Sequence, residues 1–223
     1  MALTLYLHPL ASFCHKVLIA LYENGTEFRA ETVDFSNPGD AAAQMERWPV
    51  GKIPVLHDSR CDLTLPETSI IIEYLQQHYP GPVTLLPADP EAALNVRLWD
   101  RFYDLYVQQP MQRIVGDRIR SDGSSDPYAV AEARKTLDTA YAMIDAKVGE
   151  GWAAGADFGM ADCAAFPGLF FASIVHPFKP EQTRSRAYFE RLLARPSVQR
   201  VLDEARSYFP MFPYVADMPA RFL

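Results

Sequence analysis

The feature that most constrains the fold is a pair of short segments, Val50-Gly51-Lys52-Ile53-Pro54-Val55-Leu56 and Pro66-Glu67-Thr68-Ser69-Ile70-Ile71. The first reads as a glycine-led turn entering a strand. Proline has no N–H and cannot sit mid-ladder, so Pro54 belongs at or next to the strand's first position, or in irregular backbone that accommodates a cis bond. The second reads as a helix start, with Pro66, Glu67 and two hydroxyls leading an apolar stripe. Together they put exposed backbone polar groups of Ile53 beside a helix N-terminus. Such an arrangement suits a short zwitterionic peptide.

The rest of the first 80 residues mixes the two periodicities. Leu3, Leu5 and Leu7 alternate with Thr4, Tyr6 and His8, the period of a strand. After a turn at Pro9-Leu10-Ala11, Phe13, Val17, Ala20 and Leu21 recur at helical spacing, and Asn24-Gly25 closes that helix. Phe28 to Val33 reads as a strand, Asn37 to Arg47 as a short polar helix, and 55–57 with 63–65 as a hairpin around Asp58-Ser59-Arg60. Ile70, Ile71, Tyr74, Leu75 and His78 form a helical face. The order βαβαββα is that of a thioredoxin-like domain, expected over 1–80. A proline-rich linker over 81–90 follows. Residues 91–223 carry only helical signals, so an all-α bundle is expected there. Leu94, Leu98, Phe102, Leu105 and Gln109 trace one face of a helix over 94–119, and a loop at 121–127 precedes helices near 128–148, 160–175, 183–194 and 198–208.

Composition narrows the function. With 49% hydrophobic residues and no apolar run approaching the ~18 residues of a membrane span, the chain reads as a packed globular protein without a membrane helix. The N-terminus lacks a basic leader region, so no signal peptide is expected. Cys14, Cys61 and Cys163 are too few and scattered for a disulfide framework, which points to a reducing cytoplasm. A net charge of −7 argues against nucleic acid or an anionic membrane as main partner. His8 and His15 lack a further ligand at metal spacing, so no metal is expected.

The paired segments, the βαβαββα order and the helical second half together resemble the cytosolic glutathione S-transferases, in particular the bacterial serine- and cysteine-type classes. The resemblance spans the whole chain. It implies that glutathione is the co-substrate, that Pro54 is a cis-proline, and that Ile53 exchanges backbone hydrogen bonds with the cysteinyl unit. It further implies that Glu67 and Thr68 hold the γ-glutamyl end, and that Lys52 meets the glycyl carboxylate. Phe158-Gly159-Met160-Ala161-Asp162 matches the family's capping box with Gly159 in place of the hydroxyl residue, and Ser197 is expected to cap the last long helix. A homodimer, formed through faces near the third helix and the first long helix of the second half, is also implied.

Catalysis in this family lowers the pKa of the bound thiol, so that thiolate is populated near neutral pH. A hydroxyl or thiol at the end of the first strand usually contacts that sulfur. Aligned through Lys16-Val17-Leu18-Ile19-Ala20-Leu21, that position falls nearest Ala11, and Ser12, one residue on, is the candidate hydroxyl. Ser12 reads equally well as the N-cap of the first helix. Three functions stay open. One is transfer of glutathione to an apolar or aromatic electrophile, with Tyr103, Tyr106, Met111 and Arg113 lining its pocket and Phe209, Met211 and Phe212 as a lid. Another is a glutathione-dependent thiol oxidoreductase or lyase using Cys14. The third is a non-catalytic binding module of the same fold.

Overall fold

The computed structural model describes residues 1–121 and 123–223; Asp122, in the expected loop at 121–127, lies outside the described residues. The first half runs β1 (Leu3–Leu7), α1 (Ser12–Glu23), β2 (Phe28–Thr32), α2 (Pro38–Arg47), β3 (Val55–Asp58), β4 (Leu63–Leu65) and α3 (Thr68–His78). The sheet order is β2-β1-β3-β4. β1 lies parallel to β2 and antiparallel to β3, with Leu5 opposite Ala30 on one side and Leu56 on the other. The period-two pattern of β1 explains its burial. Leu3, Leu5 and Leu7 enter one core with Val17 and Leu21 of α1 and Ile71, Ile72 and Leu75 of α3. Tyr6 points to the opposite face, where the Arg47 guanidinium of α2 lies 3.9 Å from its ring centre. The face of α3 is rotated from the sequence expectation: Ile70 is 52% exposed and Ile72 is buried in its stead.

The second half comprises α4 (Pro90–Phe102), a π-helical turn (Tyr103–Gln108), α5 (Gln109–Arg118), α6 (Pro127–Lys147), α7 (Met160–Val175), α8 (Thr183–Leu193) and α9 (Pro196–Arg206), followed by short 3₁₀ turns. Local chemistry starts these helices. Pro38, Pro90, Pro127 and Pro196 open α2, α4, α6 and α9, where the missing N–H costs nothing. The side chains of Asn37, Asp89 and Asp126 accept bonds from the amides of Gly39, Ala92 and Ala129. α7 is buried on all sides except at Ser173, as its uniformly apolar sequence requires, and it packs against α1, α4, α5 and α8.

Tertiary context changed three readings. Leu94 and Leu98 are each 61% exposed, and α4 instead buries Ala93, Val96 and Asp100. Ser197 is not a cap; its hydroxyl donates to Glu23 Oε1 at 2.5 Å, beside the Glu23–Arg195 ion pair that clamps the end of α1 to the start of α9. At α7, Asp162 is richer in partners than half a capping box suggests. It accepts from the amides of Gly159 and Ala153, both at 2.9 Å, and from the Tyr188 hydroxyl at 2.5 Å. Gly159 is there for space, since a Cβ would stand 3.0 Å from the Leu85 carbonyl oxygen.

Candidate functional site

The candidate site is a cavity of about 200 Å³ at the junction of the two halves. Phe13, Trp48, Lys52, Ile53, Pro54, Pro66, Glu67 and Thr68 form its floor and one wall, and Arg101, Asp104, Gln109 and Gln112 close it from the helical side.

The floor is built by two local devices. Gly51 adopts φ +69°, a turn that glycine takes without strain, and the Ile53–Pro54 bond is cis. The buried Gln44 of α2 donates to the Lys52 carbonyl at 2.7 Å, which fixes the loop. The ladder resumes only at Val55, so the Ile53 N–H and carbonyl have no partner among the described residues. Opposite, Glu67 holds φ +68°, uncommon for a non-glycine residue, and serves as the N-cap of α3 without a side-chain cap bond. Thr68 is buried at the first turn of that helix, where its amide has no intrahelical acceptor. Lys52 and Glu67 are exposed, with their side chains on the cavity.

The helical wall depends on the π-helical turn. Arg101 and Asp104 are three residues apart, Asp104 and Gln109 are five, and Gln109 and Gln112 are three. Counted from Asp104, an ordinary α-helix would return to the cavity face at positions 108 and 111. The wider turn delays the phase by about one residue and keeps 109 and 112 on that face. Behind it lies a buried ionic cluster. Lys16 Nζ stands 2.6 Å from Asp100 Oδ1, 2.8 Å from Asp104 Oδ2 and 3.0 Å from Ser69 Oγ. Burial disfavours the Lys16 ammonium, but Asp100 and Asp104 outweigh that penalty and hold its pKa above the ordinary lysine value. Burial pushes Asp104 up as well, with Lys16 pulling against it. The cavity therefore offers cations at Lys52 and Arg101, anions at Glu67 and Asp104, and two neutral amides. That set complements a zwitterion.

The remaining candidate residues are dispersed. Ser12 is the first helical residue of α1, not its cap; Ala11 is the cap, and its carbonyl takes the amides of Cys14 and His15. The Ser12 and Phe13 amides have no acceptor among the described residues. The Ser12 side chain is 6% exposed and lies behind the cavity wall, 3.5 Å from Gln112 Nε2. Cys14 is fully buried in the core, and burial pushes its thiol up to about 12. That removes the basis for a Cys14 nucleophile, because its thiolate is neither populated nor reachable. His15 is also fully buried, lowered to about 4 by burial, with Nε2 2.5 Å from the Pro9 carbonyl. Of the expected electrophile residues, Tyr103 and Met111 are buried in the helical core, while Tyr106 and Arg113 are exposed and stand outside the cavity wall. Phe209 and Phe212 are buried, and Met211 is exposed. Phe13, Trp48, Arg101, Asp104, Gln109 and Gln112 were not singled out as site residues from sequence. The polar i, i+3 pairs Arg101/Asp104 and Gln109/Gln112 were the available signal.

A thioredoxin-like half joined to a helical half, with an unpaired cis-proline loop facing a helix start, defines a two-domain architecture with a cavity at the junction. Residues 5–83 match the model of the glutathione S-transferase N-terminal domain and residues 102–196 that of the C-terminal domain. The chain belongs to the cytosolic-type glutathione S-transferase family. It is 27% identical to a stringent starvation protein A homolog of Coxiella burnetii, over 92% of this chain and 93% of that one. To a glutathione S-transferase of Pseudomonas putida it is 32% identical, over 64% of this chain and 61% of that one. Among solved structures, a Phanerochaete chrysosporium glutathione transferase with oxidized glutathione superimposes with a TM-score of 0.81 at 19% identity, covering 94% of this chain and 97% of that one.

Proposed function

We propose that the protein binds glutathione in this cavity and transfers its thiolate to an electrophilic carbon, as an enzyme of the serine type. The observation that carries the reading is the unpaired Ile53 backbone facing the Glu67–Thr68 helix start across a cavity of matched charge. Ile53 pairs with the cysteinyl backbone, Thr68 and the α3 amides take the γ-glutamyl carboxylate, Glu67 takes its ammonium, and Lys52 takes the glycyl carboxylate. The thiol then faces the start of α1, where the free Ser12 and Phe13 amides and the positive helix end favour thiolate, with the Ser12 hydroxyl behind the cavity wall. The thiol proton leaves to solvent. The sulfur lone pair forms the C–S bond, and the displaced electrons leave with the departing group or are protonated after addition.

The electrophile packs a flat apolar part against Phe13 and Trp48 and turns polar atoms toward Gln109. The exposed Ile70, Leu94 and Leu98 lie on α3 and α4 and support a homodimer through those helices. Three free cysteines fit a reducing cytoplasm.

Calorimetric titration with reduced glutathione tests the reading. A dissociation constant of about 10–500 μM, with proton release near neutral pH, is the expected result. No binding at millimolar glutathione would remove the enzyme assignment and leave the fold as a binding module for another ligand.

A further inference from the structure

The residue of this site with one foot in each half is Gln112. It lines the cavity, whereas Ser12 does not. Its Nε2 donates to Ser12 Oγ at 3.5 Å, the only side-chain bond of that hydroxyl among the described residues. A carboxamide nitrogen carries two N–H groups in a fixed plane. With one of them directed at Ser12, the other is free for the cavity. The neighbouring acid of the wall is already committed: Asp104 binds Lys16 and Arg101. We propose that Gln112 donates its second N–H to the sulfur of the bound thiol peptide, and that Ser12 acts as a positioning residue that holds the amide in that orientation. The inference rests on glutathione being the ligand.

Three physical arguments support this assignment. The donor must reach the sulfur, and Gln112 is the one of the two that faces the cavity. A neutral amide keeps its N–H at every working pH, so it stabilises a thiolate without titrating itself. Catalytic hydrogen bonds of this kind tighten when the complex forms, so a 3.5 Å contact is compatible with the role. Counted from Asp104, the π-helical turn shifts the return of the cavity face from position 111 to position 112.

The test is a pH titration of the bound thiol, read by the ultraviolet absorbance of its thiolate, in the full-length protein and its Gln112→Leu, Gln112→Glu and Ser12→Ala forms. Gln112 is exposed, so these changes leave the thermal midpoint in place, and a thermal melt of each form verifies it. Gln112→Leu is expected to raise the bound thiol's pKa by about one unit, the loss of one hydrogen bond to a charged acceptor. Gln112→Glu raises it further, because a carboxylate repels the thiolate. Adding Ser12→Ala to Gln112→Leu gives no further shift, since both act through one bond. A Gln112→Leu protein whose bound thiol titrates as in the wild type overturns the inference, while a shift in Ser12→Ala alone would leave the transferase reading intact. Calorimetry separates the two: a wild-type protein that binds no glutathione brings down the reading beneath the inference.

Discussion

Lys16→Met is the perturbation with the largest calculable effect. In the native protein one ammonium stands 2.6 Å and 2.8 Å from two carboxylates, and all three side chains are at most 3% exposed. Methionine fills a similar volume and removes the only buried cation of the cluster. Asp100 and Asp104 are then left with each other's charge and with Arg101, which is half exposed and 3.2 Å from Asp104. Breaking a buried pair from one side costs about 3–5 kcal/mol, because the stranded charge keeps its desolvation penalty. For a chain of this size each kcal/mol lowers the unfolding midpoint by roughly 2–4 °C, so a fall of about 10 °C is expected. Urea unfolding followed by circular dichroism measures the loss directly. Its pH dependence provides the sharper check. Burial already holds the Asp104 carboxyl up and Lys16 pulls it down, so without Lys16 Asp104 rises further and the native protein holds more protons than the unfolded chain. Stability of Lys16→Met must then rise as the pH is lowered from about 8 to about 5. Asp100→Asn with Asp104→Asn, placed in the same background, should recover most of the loss. A cost below about 1 kcal/mol, or a loss that is flat with pH, would refute the reasoning that the cluster is a buried, paired charge set.

Four other outcomes follow from the same geometry. Asp162→Ala should destabilise by about 3 kcal/mol or more, since the Ala153 and Gly159 amides and the Tyr188 hydroxyl lose their acceptor; urea midpoints report it. Burial raises Asp162 from 3.8 to about 6, so this group contributes stability below 3.8 that is lost as pH rises through about 6, a slope that Asp162→Asn should abolish in melts across that window. A thiol reagent should label Cys61 in the native protein at once and reach Cys14 and Cys163 only on unfolding, because those two are buried; rapid labelling of Cys14 would restore it as a nucleophile. Leu98→Glu should convert the proposed homodimer to monomer by light scattering, and a wild-type monomer at micromolar concentration would dispose of the dimer.

Much of this protein was legible in the chain because it is set by local physics. Strand β1 follows from the alternation of Leu3, Leu5 and Leu7, and α7 from a run too apolar to face water. The helix starts at Pro38, Pro90 and Pro127 follow from proline placed after an Asx residue. The loop at Lys52–Pro54 and the helix start at Glu67 were visible for the same reason: proline and helix-capping chemistry act over a few residues, and the cavity they frame stands where the two segments meet. What the sequence does not encode locally is helix phase. A single π-helical turn over 103–108 sets the phase of Gln109 and Gln112 against Asp104, so that all three line the cavity. Leu94 and Leu98 trace one face at helical spacing, yet that face is exposed and α4 buries Asp100 instead, since Lys16 waits for it on α1. A carboxylate is buried only where a partner 84 residues away supplies the charge, and that pairing exists only once α1 and α4 are packed together. Local sequence thus specified the elements and the cis-proline loop, while side-chain partnership across the junction decided which faces are buried and which residues line the cavity.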